Sequence, residues 1–384
     1  MQLILKMKKH QFLLLFVLGS LQVSAQMKLL PKFVRRMYFS KDTSKRGSFV
    51  LLPVLSSAPE TGIEVGGAGL YSFYTDTTDR STRVSNIFGY TTLTTKGQNR
   101  LNLSTSYWSP KNTTHYSASV GFINFPFNFY GLGNNTHLND LDYVSEKRYR
   151  LNFGAEKSLG NHIYAGFVAG GYNYAFSDDN TTGIFYNNPA IESRNGGTFI
   201  YIGPSLNFDN RNNNTYTTKG ISFTSNLNVM HGVLGSNNYI GSLFNAEYTQ
   251  FISFGHKLVL GIDLMEQSLI GNQSPFYLLP QMGSSELMRG YYSGRYRDRN
   301  YAAGQAELRY RFIKKVALVG FIGTGEVFHD SFSLPELKPN LGGGIRYFFD
   351  IEKGLSVRID YGVGEKPAGE KRQSGIYIGL GQAF

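Results

Sequence analysis

The feature that most constrains this chain is an alternation of period two that returns along almost its whole length. In the run Ile221 to Val229, apolar residues take nearly every second place, and Ser222, Thr224, Asn226 and Asn228 fill the places between. Leu355, Val357, Ile359 and Tyr361 alternate with Ser356, Arg358 and Asp360. Ala306, Leu308, Tyr310 and Phe312 alternate with Gln305, Glu307, Arg309 and Arg311. Successive side chains of an extended strand point to opposite faces, so each run is a strand with one apolar and one polar face. A soluble sandwich shows the same alternation. The number of strands and the lengths of their connections decide between it and a membrane barrel.

Candidate strands lie near 49–56, 62–75, 82–95, 99–108, 113–124, 145–158, 162–176 and 197–209. Others lie near 220–231, 239–253, 257–269, 303–313, 315–328, 340–349, 355–362 and 374–383. This makes about sixteen, an even number, and a tilted strand crosses a bilayer in roughly 9–11 residues. The connections alternate in length. Those from Pro126 to Tyr143, Ser177 to Gly196 and Gly271 to Tyr301 are long, while Pro110-Lys111, Gly160-Asn161, Gly255-His256 and Lys314-Lys315 are short. Short turns on one rim and long loops on the other are the pattern of an outer-membrane barrel. Aromatics near strand ends (Tyr107-Trp108, Phe125 to Tyr130, Tyr347-Phe348-Phe349) fit an interfacial girdle. Composition agrees: 44 Gly and only 17% charged residues disfavour a helical bundle, and 26 Tyr with 29 Phe exclude disorder.

The first residues set the compartment. Lys6, Lys8 and Lys9 precede the short apolar run Phe12 to Leu18, and Val23-Ser24-Ala25 offers a cleavage site. We expect a signal peptide over 1–25, a short periplasmic segment over 26–48 and an outer-membrane barrel over 49–384. No later apolar run is long enough for a transmembrane helix. The absence of Cys excludes disulfides, thiolate metal sites and a lipoprotein anchor. At the far end Ile376, Ile378, Leu380 and Phe384 are expected to share one face, as in the C-terminal signal by which such barrels are recognised for assembly, with Gln382 as a departure.

Three segments together carry a family resemblance. Gly203 to Arg211, with Asp209 and Arg211, continues through Thr218-Lys219-Gly220 into the next strand. Leu287-Met288-Arg289-Gly290-Tyr291 lies in the longest connection, and Gln305-Ala306-Glu307-Leu308-Arg309 lies in the strand after it. In order and placement they resemble the strand–turn–strand signature, the Arg-Gly-Tyr/Phe loop motif and the inward Glu of the BamA/TamA superfamily, the bacterial surface antigen barrels. The resemblance covers roughly 49–384. It implies a transmembrane antiparallel β-barrel with a long loop folded into its lumen. It further implies an Arg289–Glu307 latch, Gly290 allowing close backbone approach and Tyr291 packing on the inner wall. Two departures stand out. The segment 26–48 is too short for the periplasmic POTRA domains of many relatives, so the chain resembles a POTRA-less branch. Gly323 occupies the place where many relatives carry an Asp.

The other reading of the loop is a solvated one, with Arg295, Arg297 and Arg299 facing water or anionic glycolipid. At the seam between first and last strands, Pro53 removes a ladder donor, and Gly375, Gly379 and Gly381 weaken the last strand. With Phe384, these residues mark a seam resembling a lateral gate, and Leu52 is expected beside Ile378. The seven His are scattered with no metal spacing, no Gly-X-Ser-X-Gly elbow occurs, and no acid and base pair is evident, so no enzymatic activity, cofactor or metal is expected.

The expected role is assistance in insertion or translocation of protein or lipid at the outer membrane. The alternative is a passive or loop-gated pore for small solutes. Expected partners are outer-membrane lipids and glycolipid, the assembly machinery for the barrel's own insertion and a separate periplasmic partner. The net charge of +11 suits lumen and glycolipid contacts and is not read as nucleic-acid binding.

Overall fold

The computed structural model describes residues 47–384 except 80–81, 214, 236–237 and 352–353. The segment expected to be a signal peptide, and nearly all of 26–48, lie outside the described residues. Sixteen strands form one antiparallel wall: β1 (Ser48–Ala58), β2 (Gly62–Phe73), β3 (Ser85–Thr94), β4 (Asn99–Trp108), β5 (Thr114–Asn124), β7 (Asp142–Gly160), β8 (Ile163–Ser177), β9 (Gly196–Asp209), β10 (Gly220–Leu234), β11 (Ile240–Phe254), β12 (Leu258–Gly271), β13 (Asn300–Ile313), β14 (Val316–Phe328), β15 (Lys338–Asp350), β16 (Leu355–Val363) and β17 (Ser374–Leu380). Each expected strand falls on one of these. The three-residue β6 (Phe127–Phe129) was not expected; it pairs with the start of β7 inside the mouth.

The alternation places lipid outside and charge inside. Leu308 is 46% exposed while Glu307 and Arg309 on either side of it are 0% exposed. Leu101, Leu103, Leu151, Ile200, Ile202, Ile322, Ile345, Ile359 and Ile376 are likewise exposed, the reverse of a soluble protein. No helix among the described residues is long and apolar enough to cross a membrane. The strands do the crossing.

The lumen is not empty. The connections β5–β7, β8–β9 and β12–β13 fold inward and pack a buried, mostly aromatic cap of Phe127, Phe129, Phe185, Phe276, Tyr277 and Leu278 against Tyr174 and Phe199 of the wall. This corrects the expected girdle. Tyr107, Tyr347 and Phe349 face out, but the alternation turns Trp108 and Phe348 inward, and Phe127, Phe129 and Tyr130 are buried in the inward-folded β5–β7 connection.

Closure is uneven. β16 and β17 pair from Val357↔Leu380 to Val363↔Ser374, whereas β1 and β17 share the single register pair Ser57↔Ile378. Ile378 therefore faces Ser57 and not Leu52. Along its full length β1 pairs with β2, Pro53 opposite Gly67.

Candidate functional site

The β12–β13 connection descends into the lumen with Arg289 at its tip. Met288 and Gly290 both take left-handed backbone, φ 59° and 116°, which turns the chain sharply there. A Cβ on Gly290 would lie 2.8 Å from the backbone of Val363 and Gly364, so only glycine allows this approach. The wall reciprocates. A Cβ on Gly362 would lie 2.5 Å from the Arg289 carbonyl carbon, and one on Gly364 would lie 2.7 Å from the Tyr291 ring. Tyr377 on β17 accepts the Gly290 N–H at 2.8 Å, and Asn340 on β15 donates to the Arg289 carbonyl at 3.2 Å. Tyr291 donates to the Pro339 carbonyl at 2.6 Å and accepts the Glu365 N–H at 3.0 Å.

Arg289 is completely buried, and its charge is met from two strands. Nη2 lies 2.6 Å from Glu307 Oε2 on β13, and Nη1 lies 2.6 Å from Asp360 Oδ2 on β16. The Phe321 ring of β14 covers the guanidinium, its centroid 3.5 Å from Cζ. Each carboxylate is shared. Arg309 Nε donates to Glu307 Oε1 at 2.8 Å, and Arg346 forms a fork with Asp360, the second arm at 3.2 Å. Arg358 stands 3.8 Å from Asp360. Carbonyls take up two further donors: Ser285 O accepts from Arg358 at 2.8 Å and Phe384 O from Arg309 at 2.8 Å. Buried charge at this density persists only when opposite charges are paired, and here each carboxylate meets more than one guanidinium while Arg289 Nε, Arg309 Nη1 and Arg358 Nε are buried without a hydrogen bond.

Thus the structure brings together Arg289, Gly290, Tyr291 and Glu307. The sequence reading missed Asp360, Arg346, Arg309 and Arg358 as members of the cluster. Asp360 supplies the second carboxylate, on β16, where Gly323 leaves β14 without one. A Cβ at Gly323 would meet Asn340 Oδ1 at 2.6 Å, so that position is filled by the asparagine that holds the loop.

Above the tip, Arg295 pairs with Glu370 at 2.7 Å, and Tyr296 donates to Glu365 at 2.7 Å. Arg295 and Arg297 are buried and Arg299 half-buried, so the solvated-loop reading does not describe them. Burial pushes the Tyr291 and Tyr296 phenols up and pulls the Arg297 guanidinium down to about 10.

The remaining expected residues lie elsewhere. Arg211 grips Asp209 through two bonds of 3.0 Å on the short-turn rim, and Gly220, φ 115°, closes that turn where a Cβ would strike Arg211 Cα at 2.7 Å. The Lys219 N–H is held by Asn212 Oδ1 at 3.1 Å in the same turn. Gly379 lies opposite Arg358 on the inner face. Phe384 does not continue the outer face of Ile376 and Leu380. β17 ends at Leu380, and the chain turns inward so that the Phe384 ring packs near Phe251 and under Arg309, 5.1 Å from its Cζ. Gln382 follows it, donating to Ser356 at 2.9 Å and accepting from Arg346 at 3.3 Å. Gln382 thus faces the charge cluster and not lipid.

A comparison with curated proteins returns no match. Among solved structures the chain is similar to BamA from Haemophilus ducreyi lacking POTRA domains 1–3, with a TM-score of 0.59 and 13% identity over 93% of this chain and 78% of that one. It is also similar to CdiB from Acinetobacter baumannii (TM-score 0.55, 11% identity, 88% of this chain and 59% of that one) and from Escherichia coli (0.57, 10%, 86% and 62%). The chain thus spans about three-fifths of the CdiB chains. These likenesses establish the fold. The Omp85 superfamily domain matches residues 88–384, and with the closed barrel and its inward loop this places the chain in the outer membrane as a BamA/TamA-type member of the Omp85 superfamily.

Proposed function

We infer that the protein assists insertion or translocation of protein or lipid at the outer membrane by parting β1 from β17, with clients delivered by a separate periplasmic partner. The observation that carries this reading is the single register pair Ser57↔Ile378 at closure. In hydrocarbon each unpaired backbone group costs several kcal/mol, so a wall interface with a full ladder stays shut. Only the β1–β17 edge opens at small loss, and an incoming strand that pairs along β1 would restore what is lost. The latched loop fits this role as an internal brace that keeps the rest of the wall in shape while one edge moves.

The test is a disulfide across the seam. Directly opposed residues in antiparallel strands stand about 4.5–5.5 Å apart at Cα, within disulfide range. With no native Cys to interfere, Ser57→Cys with Ile378→Cys forms a defined lock. The locked protein is expected to fail to complement a deletion strain under oxidising conditions and to recover on reduction. Full complementation by verified crosslinked protein rejects the lateral opening and leaves the loop-gated pore.

A further inference from the structure

A second constellation lines the wall close to the short-turn rim, away from the latch. Trp108 of β4 lies opposite His115 of β5, and His115 lies opposite Glu156 of β7, all turned inward while Tyr107 and Tyr116 face lipid. Ser106, one alternation back from Trp108, reaches His115 diagonally. Its Oγ lies 2.9 Å from His115 Nε2, and His115 Nδ1 lies 3.1 Å from Glu156 Oε2. With Nδ1–H given to the carboxylate, Nε2 presents its lone pair to the serine hydroxyl. Ser205 donates to the other carboxylate oxygen at 3.1 Å, and the Trp108 indole stacks on the imidazole at 4.0 Å and 15°. The ring is thus fixed at both nitrogens and on one face. Arg83 lies over Trp108, 4.7 Å from its centroid; it reaches the Asp209 carbonyl at 3.4 Å and forms no ion pair among the described residues.

We propose that Ser106, His115 and Glu156 are a hydrolytic triad for acyl esters bearing an anionic group, with Arg83 receiving that group. Side chains from three adjacent wall strands meet in the serine–base–carboxylate order that makes a hydroxyl nucleophilic. Ser106 Oγ attacks the ester carbonyl as its proton passes to His115 Nε2. The acyl–oxygen bond breaks, and Nε2 returns the proton to the departing alcohol. Water then attacks the acyl-serine, giving its proton to Nε2, and the carboxylic acid leaves as Ser106 recovers its proton. The net change is ester plus water to acid plus alcohol. Ser117, directly opposite Ser106, offers a hydroxyl to the developing oxyanion. Space beside it is kept by Gly154, where a Cβ would lie 2.6 Å from Ser117 Oγ. Ser106 and His115 are the catalytic residues; Glu156 is a positioning residue.

The test uses the folded full-length barrel in detergent, each variant checked for a gel shift on boiling. A fluorophosphonate probe is expected to label Ser106, mapped by mass spectrometry, and to leave Ser106→Ala unlabelled. Hydrolysis of mono-4-nitrophenyl glutarate is expected to exceed that of 4-nitrophenyl butyrate. His115→Ala should lower the glutarate rate by about 100-fold or more. Glu156→Gln should lower it by about tenfold, with Glu156→Asp regaining part, a difference that mere wall packing would not produce. Arg83→Gln should abolish the preference for the anionic ester. A folded protein that takes no label at Ser106, or whose hydrolysis survives in Ser106→Ala, overturns the proposal. Neither outcome touches the seam on which the insertion reading rests.

Discussion

At the scale of single residues, the latch is a charge problem with a measurable answer. Removing one member of a buried pair leaves its partner unpaired, at a cost of about 3–5 kcal/mol, and less where water enters. Arg289→Ala and Glu307→Ala are therefore expected to release the loop and expose the chain near Arg295 and Arg297 to protease. Asp360→Ala should do the same, because Asp360 holds the other arm of the guanidinium. Unchanged cleavage in Glu307→Gln would mean that the loop is held by its backbone contacts alone. Above the tip, where Arg295 of the loop meets Glu370 of the β16–β17 connection, burial draws the Glu370 carboxyl up, but the Arg295 hydrogen bond, the Leu138 N–H and the Arg295 charge outweigh it and leave it below its usual range. A depressed carboxyl contributes stability above its unfolded pKa and loses that contribution as pH falls through the folded value. Protease sensitivity of the upper loop should thus be flat near neutrality and rise below about pH 4. Glu370→Gln should already be sensitive at pH 7. A wild-type profile that is flat down to pH 3 would show that this pair does not hold the loop.

At the scale of elements, strands were legible and closure was not. Each wall strand repeats an alternation that the lipid and the lumen both enforce, so its two faces are written residue by residue. β6 has three residues, too few for its alternation of Phe127, Asn128 and Phe129 to be read as a strand. No hairpin ties β17 to β1, so nothing local sets their register, and Ser57 could not be chosen over Leu52. Asp360 was hidden for a related reason. On β16 it is one polar residue in an ordinary alternation, and only barrel closure carries it to the loop tip. Arg289 and Glu307 were readable because a family motif names them. The same strand shows how shape, apart from charge, seats the loop. Gly362→Ala leaves every ionic group intact yet pushes a methyl against the Arg289 backbone, so it should reproduce the protease sensitivity of Arg289→Ala. Gly320→Ala on β14, where a Cβ meets nothing within 4 Å, is the matched control. Equal resistance in both variants would show that the glycine face is not the loop's seat.

At the scale of the whole molecule, two separate elements occupy the interior of the barrel. The aromatic cap packs inside the long-loop mouth, and the latched tip ties β13 to β16 within the lumen. A sixteen-stranded wall alone leaves room for an aqueous channel, so the resting protein is expected to conduct poorly in a planar bilayer only because of these plugs. Deleting Ser284 to Arg297 removes Arg289, Tyr291 and Tyr296 together and should raise conductance well above that of the intact chain. The sign of the current then reports the site. Without Arg289, the wall keeps Arg309, Arg346 and Arg358 against Glu307 and Asp360, a surplus of cations at the narrowed lumen. The deletion pore should therefore prefer anions, read as a reversal potential in a salt gradient, and Arg309→Gln with Arg346→Gln should turn the preference to cations. A deletion protein that stays silent would place the seal in the aromatic cap alone. An open pore without anion preference would show that the charge cluster does not survive loss of the loop that organises it.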